Sequence, residues 1–340
     1  MQKILFADAD VVLSNVDLSV VNEKDIIVTG ASGLIGTHIV FSLIRYVETT
    51  KANVKLHIVC LRELPSHFSC VAELPWINVI RGDLTDTEFI ETLPMADIVI
   101  HCAGYASPGV FMADKEKTLK INTISVFGLL EKVKQHGKFC FLSSSSVYTD
   151  CLERPYKVSV IGNTNTVHPR SCYIEGKKCG ETICYAYRDK EIDAKSVRLS
   201  IIYGPGTKQG DVRALNSFIS SAIEKKKIQL LDDGKALKSY MYISDAIELM
   251  WKMILYGEKP VYNLGGNNPI SILKIAQIVG EYLDVPVIPG QVNDTGVAGA
   301  VLTEELDMSE TYEEFSKQNH ISIREGIEKT IKWNLAMRKE

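Results

Sequence analysis

The sequence predicts an α/β protein built on a doubly wound parallel sheet, with a smaller, interleaved C-terminal lobe. Three observations predict it. Short runs rich in Val, Ile and Leu recur through the N-terminal part of the chain, each of strand length and without polar alternation. Segments with helical spacing stand between most of them. A glycine-rich turn follows the first run directly. Continuous apolar strands that alternate with helices imply a parallel sheet covered on both faces.

Taken in order, strands are expected at 25–29, 55–61, 77–81, 97–102, 138–143 and 195–202. Helical period covers 34–47 and 118–135, and a further helix is expected over 173–188. The link through Pro65 and Pro75 reads as irregular. Residues 1–24 mix apolar and acidic side chains, as a helix covering the sheet would. After Gly204-Pro205-Gly206 the pattern changes, with helices near 214–225 and 272–283 and a short strand at 228–231. Residues 240–256 read as another sheet-covering helix. The expected division is a dinucleotide-binding domain over 1–203, with 240–257 packing back on it, and a lobe over 204–340 that mainly binds substrate.

Composition narrows the function classes. Apolar residues make up 46% and charged residues 24%, an ordinary globular balance. The net charge is −4 and no basic block occurs, which argues against nucleic acid as a partner. No apolar run reaches the length of a membrane span. Asp8, Asp10 and Asp17 interrupt the N-terminal stretch, so it does not read as a signal peptide, and a cytoplasmic location is expected. The cysteines are scattered without a Cys-x-x-Cys pair, so they read as reduced thiols, and no metal site is expected.

The turn after the first strand carries Gly30, Ser32, Gly33, Leu34, Ile35 and Gly36, and it opens a helix. Glycine lets the backbone turn tightly and approach a pyrophosphate, and the helix N-terminus offers free N–H groups. This placement identifies a Rossmann dinucleotide site. Asp83, before Leu84 at the end of the third strand, either hydrogen-bonds an adenine amino group or caps the next helix. Cys102, Ala103 and Gly104 close the fourth strand, where small residues let a cofactor lie close. Arg62 at the end of the second strand suits the 2′-phosphate of NADP, while the adjacent Glu63 suits the ribose of NAD. The cofactor is NAD or NADP.

The fifth strand runs into a serine cluster, Ser143 to Ser146, then Val147 and Tyr148. That strand end faces the ligand crevice of an open α/β sheet. Downstream, Tyr173 and Lys177 are spaced to share one helix face. An unperturbed tyrosine is a poor base, with a pKa near ~10. A neighbouring ammonium favours the phenolate and lowers that value. Ser144 is placed to steer a reacting oxygen toward Tyr173. The set suits hydride chemistry at a hydroxyl or ketone carbon, with Ser144, Tyr173 and Lys177 catalytic.

These motifs resemble the extended short-chain dehydrogenase/reductases, in particular the nucleotide-sugar epimerases and dehydratases. The likeness runs from the glycine turn through Gly82-Asp83-Leu84, Asn122, the serine cluster with Tyr148, and Pro169-Arg170-Ser171-Cys172-Tyr173. It continues through Arg198 to Pro205, Tyr242 to Asp245, and Tyr262 to Gly266. The resemblance implies that Asn122, Tyr173 and Lys177 also contact the cofactor. It implies a nucleoside diphosphate sugar as substrate, and a homodimer formed by two paired helices of each subunit. Ser145, Ser146, Arg213, Asn216 and Lys238 are the implied substrate contacts; Arg213 and Lys238 either hold the diphosphate or are solvated surface charges.

The departures are informative. Dehydratases of the family carry two carboxylates directly after the catalytic hydroxyl, where this chain has Ser145 and Ser146. Decarboxylases carry a Glu where Ser146 stands. Ile201 replaces a common substrate-contacting Asn, and Lys238 a common Arg. What remains is redox at one carbon. The leading reading is 4-epimerisation through a 4-keto sugar. The alternatives are an NADP-dependent reductase or dehydrogenase and, from another class, a non-catalytic dinucleotide-binding regulator.

Overall fold

The computed structural model describes residues 1–290 and 302–339. Its centre is a parallel sheet of seven strands. In chain order these begin with β1 (Lys24–Thr29), β2 (Val54–Cys60), β3 (Ile77–Arg81) and β4 (Ala96–His101). They continue with β5 (Val133–Ser144) and β6 (Asp193–Leu199). The spatial order is β3-β2-β1-β4-β5-β6, and a strand from the C-terminal half closes the far edge. The chain winds outward from β1 to β3, then crosses back to β4 beside β1. That reversal opens a crevice at the carboxyl ends of β1 and β4, the usual ligand position in such sheets.

Helices cover both faces. One face carries α1 (Gln2–Leu13) and α2 (Leu34–Thr50). The other carries the short α3 (Thr87–Glu91), then α5 (Lys115–Asn122), α6 (Ile124–Leu130) and α7 (Ser171–Tyr187), with α4 (Pro108–Ala113) leaning on α7. The N-terminal lead-in is thus a helix against the sheet-covering layer. Its buried Asp8 accepts a hydrogen bond from the Tyr242 hydroxyl, tying it to the C-terminal half.

In the second half, β7 (Ile201–Tyr203) pairs with β10 (Tyr240–Tyr242), and β8 (Ile228–Gln229) pairs with β13 (Val287–Ile288). Strand β9 (Leu237–Lys238) lies between β12 (Ile270–Ser271) and β14 (Thr303–Glu304). Helices α8 (Ala214–Lys225), α10 (Ile272–Leu283) and α12 (Ile323–Met337) pack on one another. Helix α9 (Ile243–Tyr256) is almost wholly buried against α1 and α2, so it packs back on the first half. Strand β11 (Val261–Leu264) joins the main sheet beside β6, and α11 (Ser309–Phe315) covers it.

Four expectations change. The run 195–202 is two strands: at Ser200 the chain leaves the main sheet, and Ile201 turns its N–H to Ser239 in the small lobe. The span 240–256 begins as strand β10 before becoming helix. The helix expected over 118–135 breaks at Thr123, which has φ −129° and ψ −74°, and ends at Leu130. Val133 already belongs to β5, with an irregular register where His136 takes φ 60°. Finally, a seventh strand completes the sheet.

The homodimer expectation needs apolar surface left over on α5–α7. Ile121, Val126, Leu129 and Leu130, Ile174, Ile183 and Tyr187 on these helices, and Val133 at the start of β5, are all buried within the subunit. The side chains that do face outward are Leu119, Ile124, Phe127 and Tyr185, each at least 40% exposed. Among the described residues, no helix is long and apolar enough to cross a membrane. All eight cysteines are free thiols.

Candidate active site

The glycine turn is built to bring backbone against backbone. Gly30 has φ +64°, and a Cβ there would lie 2.6 Å from the Ala103 backbone at the end of β4. A Cβ on Gly36 would lie 2.6 Å from the Gly30 carbonyl oxygen. Helix α2 has Gly33 at its N-cap and so no side-chain cap. The N–H groups of its first turn are therefore left for a ligand, as pyrophosphate binding requires. These features fit a dinucleotide across the crevice. Ser32, Leu34 and Ile35 would meet its phosphates, and Cys102, Ala103 and Gly104 would lie beneath it.

Around this cradle the candidate residues separate. Asp83 accepts from Thr85 N at 3.0 Å and Oγ1 at 2.8 Å, and its other oxygen pairs with Lys117 Nζ at 2.5 Å. It holds the turn after β3 but does not cap the next helix, where Asp86 accepts from Glu88 N, and Leu84 is buried beside it. Glu63 is exposed and paired to Arg81 at 3.0 Å. Arg62 lies near Lys208, close enough for each charge to act on the other. Lys208 Nζ lies 3.4 Å from Ser32 Oγ. The sequence reading did not include Lys208, which comes from the loop after Gly206.

The catalytic set comes together where β5 meets α7. Ser144 ends β5 and accepts from Ser146 N at 3.1 Å. The Ser144 hydroxyl lies close enough to the Tyr173 phenol to favour its ionised form. The Tyr173 ring stacks on Phe111 of α4, with centroids 4.5 Å apart and planes 11° apart. Lys177, one turn further along α7, donates to the Leu142 carbonyl at 2.6 Å. Its Nζ lies 4.6 Å from the Phe141 ring centre and 5.7 Å from that of Tyr173. It would lie 3.8 Å from a Cβ on Gly104, at the mouth of the crevice.

The electrostatics differ from the sequence expectation in one respect. Burial raises the Tyr173 phenol above its ordinary value, only partly opposed by the Ser144 hydroxyl and by Arg170 and Arg213. The same burial lowers Lys177 to about 7, with the Glu181 carboxylate opposing. An apolar wall of Phe111 and Phe141 disfavours both charged forms. The proton therefore rests on Tyr173 in this state. The cations whose charge lowers its pKa are the two arginines rather than the lysine.

Asn122, at the break between α5 and α6, donates to the Thr118 carbonyl at 2.8 Å. It packs against Gly176 on α7, and its buried Oδ1 has no hydrogen-bond partner among the described residues. It thus sits in the wall that seats Lys177 and leaves one acceptor open. His101, which ends β4, bonds Thr29 Oγ1 and the Ile121 carbonyl; burial lowers its pKa to about 4, so it is a neutral bracing group.

Beyond Ser144 opens a cavity of about 100 Å³, lined by Ser145, Ser146, Tyr148, Thr149, Tyr156, Arg170, Lys238 and Glu304. Three implied substrate contacts, Ser145, Ser146 and Lys238, are brought together here. Arg213 and Asn216 do not line it. The Arg213 fork is taken by Asp211, with Nη2 to Oδ2 at 2.6 Å. Asn216 faces a separate crevice with Lys208 and Arg338. Lys238 pairs with Glu304 at 3.6 Å. Both nominated diphosphate cations are thus engaged by carboxylates and are not plain solvated charges.

Sequence reasoning missed Glu304, Glu181 and the cavity role of Arg170. Glu181 had a signal, since 173, 177 and 181 form one stripe at spacing four on α7. Arg170 belongs to the run that ends in Tyr173. Glu304 had no local signal at all.

A doubly wound sheet with a glycine cradle at its reversal and a buried Tyr/Lys/Ser set at the next strand end defines a dinucleotide-dependent enzyme. The comparisons agree. The NAD dependent epimerase/dehydratase family matches residues 26–265, and the chain belongs to that family. UDP-glucuronic acid decarboxylase 1 of Arabidopsis thaliana is 29% identical over 312 residues, covering 90% of this chain and 68% of that protein. UDP-glucuronic acid decarboxylase 2 of the same plant is 29% identical over 261 residues, covering 76% of this chain and 57% of its own. The chain thus spans between about half and two thirds of these relatives' lengths. The crystal structure of UDP-glucose 4-epimerase from Thermotoga maritima, with UDP-glucose, superposes with a TM-score of 0.77 at 22% identity. That match covers 92% of this chain and 99% of the other, and it reflects a shared fold.

Proposed function

We propose that the protein is a nucleotide-sugar 4-epimerase that works through a transient 4-keto sugar. The carrying observation is the Ser144–Tyr173 hydroxyl pair beside buried Lys177, with hydroxyls and not carboxylates at 145 and 146. The dinucleotide, when bound, supplies the hydride acceptor and donor. Tyr173 removes the proton of the C4 hydroxyl and returns it to the 4-keto oxygen. Ser144 holds that oxygen against Tyr173. Lys177 anchors the helix face at the cofactor side, held by the Leu142 carbonyl.

The names of the plant relatives raise decarboxylation of a uronic acid as an outcome of the same C4 oxidation. One observation weighs against it: Ser146 stands where the decarboxylases carry a Glu. The cavity itself carries Arg170 and Lys238 beside Glu304, so its charge does not choose between a neutral and an acidic sugar. One carboxylate without a partner acid also leaves no group to protonate a departing C6 hydroxyl, because serine hydroxyls are too weak as acids.

A second reading, reduction with NADP, is favoured by Arg62 and Lys208 beside Ser32, two cations that suit a 2′-phosphate. One experiment addresses both readings. Purified protein is incubated with UDP-glucose and either NAD or NADP, and products are identified by NMR. Epimerisation at C4 with the C6 oxygen kept is the expected result, without net consumption of cofactor. Net oxidation or reduction would sink the epimerase in favour of the reductase. In the same assay, Arg62→Ala should weaken NADP selectively; equal loss for both cofactors, or none, would make Arg62 a surface charge.

The substrate-binding subunit is proposed to pair with a second copy. Leu119, Ile124 and Phe127 on α5–α6 and Tyr185 on α7 expose apolar surface on neighbouring helices, and a twofold axis would cover one copy's patch with the other's. Sedimentation should give twice the chain mass at micromolar concentration, and Phe127→Glu should halve it. A wild-type mass of one chain would refute the dimer.

A further inference from the structure

Glu304 brings a carboxylate to the position that local sequence reading found empty of one. Its Oε1 accepts from Ser145 Oγ at 2.7 Å, and its Oε2 lies 3.6 Å from Lys238 Nζ. Its side chain is 17% exposed, so one edge faces the cavity. Its charge reaches Tyr173 and Arg170 on the opposite wall. Ser145 directly follows Ser144, whose hydroxyl lies beside the Tyr173 phenol. The carboxylate is therefore held one residue along from the hydroxyl that would orient the reacting oxygen.

The segment that carries it is tethered on several sides. Glu304 pairs with Lys238 along β9 and β14, and Ser239 Oγ donates to its carbonyl at 3.2 Å. Tyr156 N donates to the Glu305 carbonyl at 2.7 Å, and Asp307 N donates to the Tyr156 carbonyl at 2.9 Å. Tyr156 itself stacks on Tyr148, at the end of the serine cluster, with centroids 4.9 Å apart. The carboxylate and the Ser144 strand end are thus clamped to one another, as an acid/base group needs.

We propose that Glu304 is a general base on the carbon skeleton of the sugar, removing the C5 proton of a bound 4-keto nucleotide sugar. The inference rests on the reading that a 4-keto sugar occupies this cavity. The C5–H bond breaks, and the proton passes to a Glu304 oxygen. The electron pair moves into the C4 carbonyl, giving an enolate whose oxygen is hydrogen-bonded by Tyr173 and Ser144. Return of a proton from Glu304 to C5 restores the ketone, so nothing is oxidised or reduced. In deuterated water the returned proton is replaced by deuterium.

The test supplies the ketone ready-made, so it does not depend on the hydride step. Full-length protein with NAD is mixed with dTDP-4-keto-6-deoxyglucose in deuterated water, and C5 deuterium is followed by mass spectrometry and NMR. The wild type should exchange C5 faster than protein-free buffer. Glu304→Gln should lower the protein-dependent rate by about 10²–10⁴-fold, the usual worth of a general base. Glu304→Asp, which keeps the carboxylate, should recover part of it, a result that a merely structural role would not give. Exchange no faster than buffer, or exchange unchanged in Glu304→Gln, would overturn the inference. Failure of UDP-glucose epimerisation with C5 exchange intact would overturn the 4-epimerase reading alone.

Discussion

Replacing Tyr173 with Phe should reduce turnover by about 10²–10⁴-fold, the contribution expected of a positioned acid/base. That corresponds to roughly 3–5 kcal/mol of transition-state stabilisation. The substitution removes one oxygen and leaves the ring that stacks on Phe111. The packing of α7 against α4 should survive, and so should cofactor affinity, because the glycine cradle and Lys177 are untouched. Ser144 loses the hydroxyl beside it and retains the backbone N–H of Ser146. The checks are steady-state kinetics on the nucleotide sugar and fluorescence titration of the dinucleotide. Near-normal turnover would remove Tyr173 from the chemistry. Lost cofactor binding would instead assign it a structural role.

Because burial raises Tyr173 and lowers Lys177, the tyrosine needs help to act as a base near neutrality. Part of that help is in place, since Arg170 and Arg213 both favour its phenolate. Arg170 lies over Phe111, the ring that Tyr173 also stacks on, with its guanidinium carbon 5.6 Å from the ring centre. The residues that adjust the tyrosine are therefore spread over two lobes, and only Lys177 among the nearby cations shares its helix.

This spread explains what the sequence disclosed and what it hid. The cradle was readable because all its parts are local: strand, glycines and helix start lie within a dozen or so residues, and each has a backbone reason to be there. The Tyr173–Lys177 face was readable for the same reason, as a helix stripe. The seventh strand was not, because β11 is four residues long and takes its identity from β6, more than sixty residues upstream. The end of β6 was blurred because Leu199 and Ile201 are equally apolar, and only their partners differ. Reading Ser145 as an absent carboxylate was correct for that position. The Glu304 carboxylate arrives from 159 residues away, and pattern reading along the chain has no access to such a meeting.

The largest stability effect is expected at Arg198. Its guanidinium on β6 donates from Nε and Nη2 to Glu181 of α7, the closest contact being 2.8 Å. Its Nη1 donates to the Tyr148 hydroxyl and to the Val158 carbonyl, each at 2.8 Å. The Tyr148 hydroxyl donates in turn to Asn263 Oδ1 on β11 at 2.7 Å, and Asn263 Nδ2 donates to the Tyr156 carbonyl at 2.8 Å. Arg198 and Glu181 are both less than a tenth exposed. Removing one partner of such a pair strands the other charge, which typically costs about 3–5 kcal/mol. Arg198→Met should therefore lower the urea midpoint markedly. It should also lower turnover, because the same network seats α7 against β5 and holds Tyr156, to which the Glu304 segment is tied. The double variant Arg198→Met/Glu181→Met removes both charges and should recover most of the lost stability, since a buried pair contributes little net when replaced whole. Turnover should stay low in the double variant, because the apolar pair restores packing but neither the bond from Arg198 to the Tyr148 hydroxyl nor the one that Ser143 on β5 donates to Glu181. Equal stability of Arg198→Met and wild type would show that the pair is solvated and that α7 is held by packing alone.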